Sequence, residues 1–322
     1  MNARVKILGG GPAGAAAALA ALAEGAPVRV MERARLPRHK VCGEFFSPEI
    51  EPELERLGVW AAFLAARPAR VERAALCFGA RRKEARLPEP AWGLSRYAFD
   101  ALLLDQAAAR GARVASGAGV EPVAVLACGR RPARAPRGRR QFGFKAHFDG
   151  PANDAVELYF FDGCYVGVSG IEGGRTNVCG LGPEDCLTRF GFSYDDVVAR
   201  CPALVERLAP LRRVMPWVST GPLEYGQRFA PGAAPYPAGD ALSFVDPFTG
   251  SGLLAAVRSG AIAGRAAASG ETTEAYLAQC RASLRKPFQV ASLLRGLVAS
   301  GWAERLAALA PPALLFALTR PR

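Results

Sequence analysis

Arg4-Val5-Lys6-Ile7-Leu8 leads directly into Gly9-Gly10-Gly11-Pro12-Ala13-Gly14, and Ala15 to Glu24 then consists almost wholly of helix formers. The opening residues have the apolar, partly β-branched character of a short strand, and the alanine- and leucine-rich stretch has high helix propensity. Three glycines in a row would break an export signal's apolar helix, so the uncharged segment Ile7 to Ala23 reads as a turn and a helix instead. Gly25 ends that helix, and Pro27 to Met31 (PVRVM) reads as a second strand. Residues 4–31 therefore form one βαβ unit, with the right-handed crossover that parallel strands adopt.

Each glycine of Gly9-x-Gly11-x-x-Gly14 has a mechanical reason to be there. Gly9 permits the tight turn, Gly11 lets the backbone approach a pyrophosphate, and Gly14 lets the helix pack closely on the strand. Pro12 and Ala13 open the helix, whose free N–H groups and positive dipole end face the phosphates. Glu32, eighteen residues past Gly14 at the end of the second strand, is placed to accept hydrogen bonds from the adenosine ribose. The pattern is a dinucleotide-binding fingerprint.

Outward from this unit, Ser47 as cap and Pro48 at the first helical position predict a helix. A strand follows at Ala69 to Phe78, a helix at Phe99 to Arg110, and short strands at Arg113 to Ser116 and Pro122 to Ala127. Gln141 to Gly182 turns to glycine-rich β pattern (FGFKAHF, VELYFFDGCYVGVSG, TNVCGLG), and Asp195 to Leu208 reads as a helix. Ala241 to Gly264 repeats the strand, glycine turn and helix of the N-terminus. The fold class is α/β: a doubly wound Rossmann-like domain over 1–140 and 235–270, an inserted antiparallel β-rich substrate domain over 141–234, and a helical C-terminal segment over 271–322.

Composition narrows the function. The 322 residues are half hydrophobic and 22% charged, which excludes a disordered tail, a collagen-like chain and a coiled coil. The formal charge of +12 rests on arginine, since Lys6, Lys40, Lys83, Lys145 and Lys286 are the only lysines. Six arginines and no acid lie between Gly129 and Arg140, as either a solvated basic loop or a phosphate site for NADPH, FAD or a diphosphate-bearing substrate. No helix-turn-helix, finger or stacking platform accompanies this charge, which argues against nucleic acid. Eight cysteines without a C-x-x-C pair, and only two histidines, give no disulfide framework and no metal site. Free thiols suit a reducing cytoplasm. The fourteen residues between Arg305 and Arg320, interrupted by Pro311-Pro312, fall short of the roughly 20 a spanning helix needs. They either dock on the body or make a peripheral membrane contact.

A second constellation gives the resemblance. Gly239-Asp240, then Asp246-Pro247-Phe248-Thr249-Gly250-Ser251-Gly252 running into a helix, resembles the second flavin-contacting motif of the p-hydroxybenzoate hydroxylase superfamily of FAD enzymes. The resemblance implies that Asp240 holds the ribityl chain, and that Gly250, Ser251 and Gly252 bring backbone N–H groups to the flavin pyrimidine edge. A helix N-terminus there would stabilise the negative charge of reduced flavin. Arg33 after Glu32 resembles the family pair that faces the adenosine. Leu94 to Asp100 resembles the R-x-x-F-D helix start whose arginine, here Arg96, contacts the cofactor. Val125-Leu126-Ala127-Cys128-Gly129 resembles the h-h-A-T-G segment that passes beneath the dinucleotide.

Lys40-Val41-Cys42-Gly43 and Asn177-Val178-x-Gly180-x-Gly182 resemble the geranylgeranyl reductase branch, which also has hydroxylase and halogenase relatives. That branch reduces carbon–carbon double bonds of isoprenoid substrates. Two departures stand beside the likeness: no antiparallel meander separates the strands around Val120 to Pro122, and Tyr165-Val166-Gly167-Val168-Ser169-Gly170 replaces the branch's Tyr-x-Trp-x-Phe-Pro. The halogenase W-x-W-x-I-P segment is absent too. The resemblance implies an FAD-dependent oxidoreductase, with NADPH or NADH as electron donor and a small apolar substrate of lipid, polyketide or isoprenoid type. A flavin monooxygenase of the same fold and a non-catalytic nucleotide-binding module are the alternatives. The resemblance places Cys42 and Gly43 near the flavin, and Cys42 reads either as a proton donor to a carbanion or as a buried structural thiol. Tyr165 and Trp217 read as substrate-pocket or as core aromatics. His39 and His147 have no partner visible in sequence and read as exposed or structural.

Overall fold

A computed structural model of the chain describes residues 5–117, 122–130, 140–223, 226–227, 235–244 and 250–284. Two sheets organise these residues. The first has five parallel strands in the order Tyr236–Pro237, Val125–Leu126, Val5–Leu8, Val28–Glu32 and Arg113–Ser116, with Ile7 opposite both Val30 and Val125. Val5, Ile7, Val28, Val30 and Val125 are buried, as suits a parallel sheet covered by helices.

The Pro12–Ala23 helix carries almost nothing larger than alanine, and ten of its residues are buried. That thinness lets the Gly252–Ser269 helix come very close. A Cβ on Gly260 would lie 2.1 Å from the Ala13 carbonyl oxygen, and one on Gly264 would lie 2.1 Å from that of Ala17. Any side chain at either glycine would strike backbone. Because Ala13 meets Gly260 and Ala17 meets Gly264, the two helices run in the same sense. The eight residues from Gly252 to Gly260 carry the second helix about 12 Å past that contact toward its own N-terminus. A helix over 273–284 closes the unit: the Tyr276 hydroxyl donates to the Pro237 carbonyl and the Tyr236 hydroxyl to that of Glu271.

The second sheet has nine strands, ordered Arg212–Arg213, Gln141–Asp149, Thr176–Pro183, Cys164–Gly170, Ala155–Phe161, Ala69–Phe78, Arg81–Gly93 and Phe45–Phe46, with Val218–Leu223 also paired to Gln141–Asp149. It is antiparallel except where Ala69–Phe78 runs parallel to Ala155–Phe161. Three of its strands come from the stretch before residue 100, so it draws on both sides of the first unit rather than on 141–234 alone. The short helices Glu184–Arg189, Tyr194–Ala199 and Pro202–Leu208 cover one face and bury Phe144, Val166, Val168 and Val178 beneath Leu187, Val197 and Leu204. The opposite face carries Lys145, His147, Tyr165, Gly167, Ser169, Asn177 and Cys179, set in common rows by the strand register.

Several local readings change. The helix expected from Ser47 begins at Ile50 with Glu49 as its cap residue, and the Ser47 hydroxyl is buried without a partner. Phe45 and Phe46 are drawn into the sheet against Gly93 and Trp92, so the next three residues must serve as a turn. The helix expected over Asp195 to Leu208 is two, divided at Cys201 where Pro202 opens the second. Arg81–Gly93, unread as a strand because of its charges and prolines, pairs along Ala69–Phe78. Ser243–Phe244 pairs with Gly226–Gln227 and not with the parallel sheet, where Tyr236–Pro237 takes the outer place. Asp246 to Thr249, the run Arg131 to Arg139 and the stretch Arg305 to Arg320 lie outside the described residues. Among the described residues no helix is long and apolar enough to cross a membrane.

Candidate cofactor and proton-transfer site

The glycine loop folds as steric reasoning requires. Gly9 has φ +103°, and a Cβ there would sit 2.3 Å from the Ala127 carbonyl oxygen. One on Gly14 would sit 1.8 Å from the Gly9 carbonyl oxygen. Gly11 caps the Pro12–Ala23 helix with no side-chain partner for the first N–H groups and no acid in the first turn. Glu32 takes the Gly10 N–H at 2.7 Å on one oxygen and the Ala34 N–H at 2.8 Å on the other, which fixes it beside the loop. Arg33 is exposed next to it.

Cations gather over this loop. A Cβ built on Gly11 would lie 3.7 Å from Lys40 Nζ and 3.9 Å from an Arg96 guanidinium nitrogen. Ser95 caps the Arg96–Ala109 helix through the Ala98 N–H at 3.1 Å, while its own hydroxyl and N–H donate to Glu172. Arg96 grips Asp100, one turn on, at 2.6 and 2.8 Å, and Lys40 reaches the same carboxylate at 2.7 Å. Burial disfavours the charge on Asp100, but Arg96 and Lys40 outweigh it and hold the carboxyl below its ordinary range. Burial also opposes the Arg96 charge, and Asp100 more than restores it. This group carries one net positive charge beside an uncapped helix N-terminus.

The second glycine turn packs against the start of the same helix. Gly239, at φ +60°, abuts Ala13 Cβ and donates its N–H to the Ser259 hydroxyl at 2.9 Å. Asp240 feels Arg130, Arg96 and Lys40, yet burial dominates and lifts its carboxyl above the ordinary value. Gly250 has φ +63° and backs onto the Phe45 ring, and Ser251 stands at the cap position of the Gly252–Ser269 helix, its side chain not bonded to the helix's first N–H groups. Among the described residues, chain neighbours aside, no atom lies within 4 Å of a Cβ built on Gly43, Gly129 or Gly252. Two helix N-termini without capping hydrogen bonds from their cap side chains, staggered by about 10 Å, lie near Asp240 and the Lys40 and Arg96 charges. This arrangement suits a dinucleotide whose anionic pyrophosphate lies at one helix and whose flavin ring, a ribityl chain away, lies at the other.

Sequence reasoning missed the charged centre of the Lys40 to Glu44 loop. Glu44 is fully buried at φ +56°, a conformation that costs a non-glycine residue. One of its oxygens takes the Arg96 N–H at 2.6 Å and Lys145 Nζ at 2.5 Å, and the other meets His147 Nε2 at 2.7 Å. Lys145 also donates to the Lys40 carbonyl at 3.1 Å. Asn177 donates to the carbonyls of Cys42 and Gly43 at 3.1 and 2.9 Å. Cys42 is half-buried, receives the Glu44 N–H at 3.4 Å, and has its thiol pushed up by burial.

His147 is therefore a partner of Glu44, while His39 is exposed, stacked on Tyr97, and edge-on to His147 at 5.1 Å. Tyr165 lies buried on the site-facing side of the sheet with Leu181 and Leu223. Trp217 lies on the other face, against Phe144, Phe148 and Tyr194, with Nε1 bonded to Asp195 at 2.9 Å. The alternation that points Lys145 toward Glu44 and pairs it with Val218 turns the preceding Trp217 to the helix-covered side, so Trp217 does not share the face on which a pocket reading would place it.

No family model matches the chain. Menaquinone reductase of Mycolicibacterium smegmatis is 46% identical over 61 residues, which are 18% of this chain and 15% of that protein. Among solved structures, a flavin-dependent brominase superposes with a TM-score of 0.81 at 19% identity, covering 98% of this chain and 93% of its own. The flavin-dependent halogenase CmlS gives 0.73 at 22% identity, covering 90% and 63%. A geranylgeranyl bacteriochlorophyll reductase-like protein of Thermoplasma acidophilum gives 0.70 at 18% identity, covering 97% and 89%. The chain shares the fold of these solved structures, a parallel Rossmann-like sheet beside a separate mixed sheet.

Proposed function

We propose that the chain is an FAD-dependent oxidoreductase that reduces carbon–carbon double bonds of a small apolar molecule. The observation that carries this reading is the pair of staggered helix N-termini whose cap side chains make no capping bond, with Lys40 and Arg96 beside the first and buried Asp240 in the field of the same two cations. Bound FAD supplies reversible two-electron chemistry, taking electrons from a donor such as NADPH or NADH and returning them to a substrate carbon as hydride. Gly9, Gly11, Pro12, Ala13 and Gly14 hold the pyrophosphate, with Arg96 neutralising charge above it. Glu32 and Arg33 face the adenosine, Gly129 passes beneath the dinucleotide, and Asp240 binds the ribityl hydroxyls. Gly43, Gly250, Ser251 and Gly252 border the flavin ring. Tyr165 lines the apolar side of the substrate space.

Cys42 supplies the proton. Its raised pKa keeps the thiol protonated at neutral pH, and its loop lies between the Arg96 helix start and the site-facing sheet. A carbanion left beside the newly reduced carbon takes the S–H proton, and the thiolate that remains lies near the Arg96 and Lys145 cations. That donor favours reduction over oxygen-dependent hydroxylation, which requires no proton donor to carbon.

The test is an absorbance spectrum of the purified protein, then anaerobic addition of NADPH, then a candidate polyene, and finally air. A yellow protein bleached by NADPH and reoxidised by the polyene without oxygen supports the reading. Reoxidation and product formation only after air would assign a monooxygenase, and protein that takes up no flavin would assign a binding module.

A further inference from the structure

We propose that Glu44 is a positioning residue for Cys42: its buried carboxylate gathers Lys145, His147 and the Arg96 backbone around the thiol's loop and sets the balance of charge that the thiol experiences. The inference rests on the reading of Cys42 as proton donor, but its test needs neither flavin nor turnover.

The geometry goes beyond what anchoring a loop requires. One carboxylate joins three separate elements: its own loop, the N-terminus of the Arg96–Ala109 helix, and the Gln141–Asp149 strand. Its backbone N–H points at the Cys42 sulfur, so the residue that organises the charges also touches the thiol. Glu44 and Lys145 are fully buried and His147 nearly so, which makes their mutual pairing obligatory. Burial would neutralise the Glu44 carboxyl, but the His147 hydrogen bond and the Lys145 charge hold it below its ordinary value and keep it anionic. The groups that face the Cys42 sulfur are Arg96 from the helix start, Glu44 from its own loop, and Lys145 and Cys179 from the sheet. Burial favours the thiol most and the Glu44 carboxylate adds to it, while Arg96, Lys145 and the Glu44 N–H favour the thiolate. The Glu44 carboxylate thereby offsets the nearby cations while the proton is on sulfur, and the Lys145 it holds is in place for the thiolate once the proton has gone.

The signs separate this role from simple anchoring. With Glu44→Gln, Lys145 loses its counter-charge and the carboxylate no longer opposes the thiolate, and alkylation of Cys42 by iodoacetamide at neutral pH rises about tenfold, corresponding to one pKa unit. With Lys145→Met, a cation is lost and alkylation falls by a similar factor. The double variant replaces the pair by neutral side chains of like size, folds if either single variant is unstable, and returns the rate to within about threefold of the parent. The rate is read across pH on the purified full chain by mass spectrometry of the Cys42 peptide, since all eight cysteines are free. If Glu44 only pins the loop, both single variants alkylate faster and the double variant fastest of all. That result, or a Cys42 pH profile unmoved by Glu44→Gln, overturns the proposal.

Discussion

Two buried glutamates, one within the nine-stranded sheet and one in a loop packed against it, are held by different partners. Glu157, 2% exposed, sits between Arg82 and Arg207, whose side chains keep 41% and 16% of their surface in water. Glu44, fully enclosed, is held by Lys145 at 0% and His147 at 3%. An arginine reaching in from the surface neutralises a carboxylate, keeps its head partly hydrated and never gives up its proton. Lysine and histidine can both change charge, and enclosing them is expensive unless the pairing is complete. The first arrangement is a strut under the helix-covered face. The second lies on the face that meets the glycine loops, where responsive charge is useful.

The largest effect expected from this contrast is on stability. Glu44→Ala leaves Lys145 enclosed without its partner and costs about 3–5 kcal/mol. Glu157→Ala lets two partly exposed arginines rehydrate and costs about 1–2 kcal/mol. Urea denaturation of both variants measures the difference, and equal losses would remove the distinction. Acid gives the next effect. Because the folded Glu44 carboxyl lies below its unfolded value, its contribution is complete above the ordinary glutamate pKa of about 4.3 and is lost as pH falls through the folded value. Glu44→Gln should therefore flatten the acid limb of the stability curve, which thermal melts from pH 6 to pH 3 would follow. The smallest effect is at Asn177, whose amide ties the Cys42 and Gly43 carbonyls to the sheet. Asn177→Ala should cost about 1–2 kcal/mol and quicken Cys42 alkylation with no change in its pH midpoint. A shifted midpoint would instead place Asn177 in the charge balance.

What the sequence reveals follows from the range of the forces involved. The Gly9 to Gly14 loop is legible because its demands are steric and local: Gly9 needs positive φ, and Gly14 has no room for a Cβ. Arg96 and Asp100 are legible because four residues make one helical turn. Glu44 and Lys145 are 101 positions apart, and nothing in either neighbourhood announces the other. Lys145, His147 and Asp149 alternate along the Gln141–Asp149 strand, which could have shown that Lys145 and His147 share a face, but not what faces them. Arg81–Gly93 hides behind Pro88 and Pro90, which the strand tolerates because they fall in the register shift between Arg86 and Ala91, where neither has a ladder partner among the described residues. The contact of Ala13 and Ala17 with Gly260 and Gly264 is spread over two distant segments of small residues, and each looks like ordinary helix alone.

The account depends on one cofactor spanning two helix ends, and a fluorescence-quenching titration of FAD into the purified chain and into Gly11→Val tests it most directly. The account predicts one FAD per chain for the parent, and binding weakened at least about a hundredfold, or some 2.7 kcal/mol, in a variant whose circular dichroism is unchanged. An absence of FAD binding by the parent, or equal affinity in the folded variant, would contradict it.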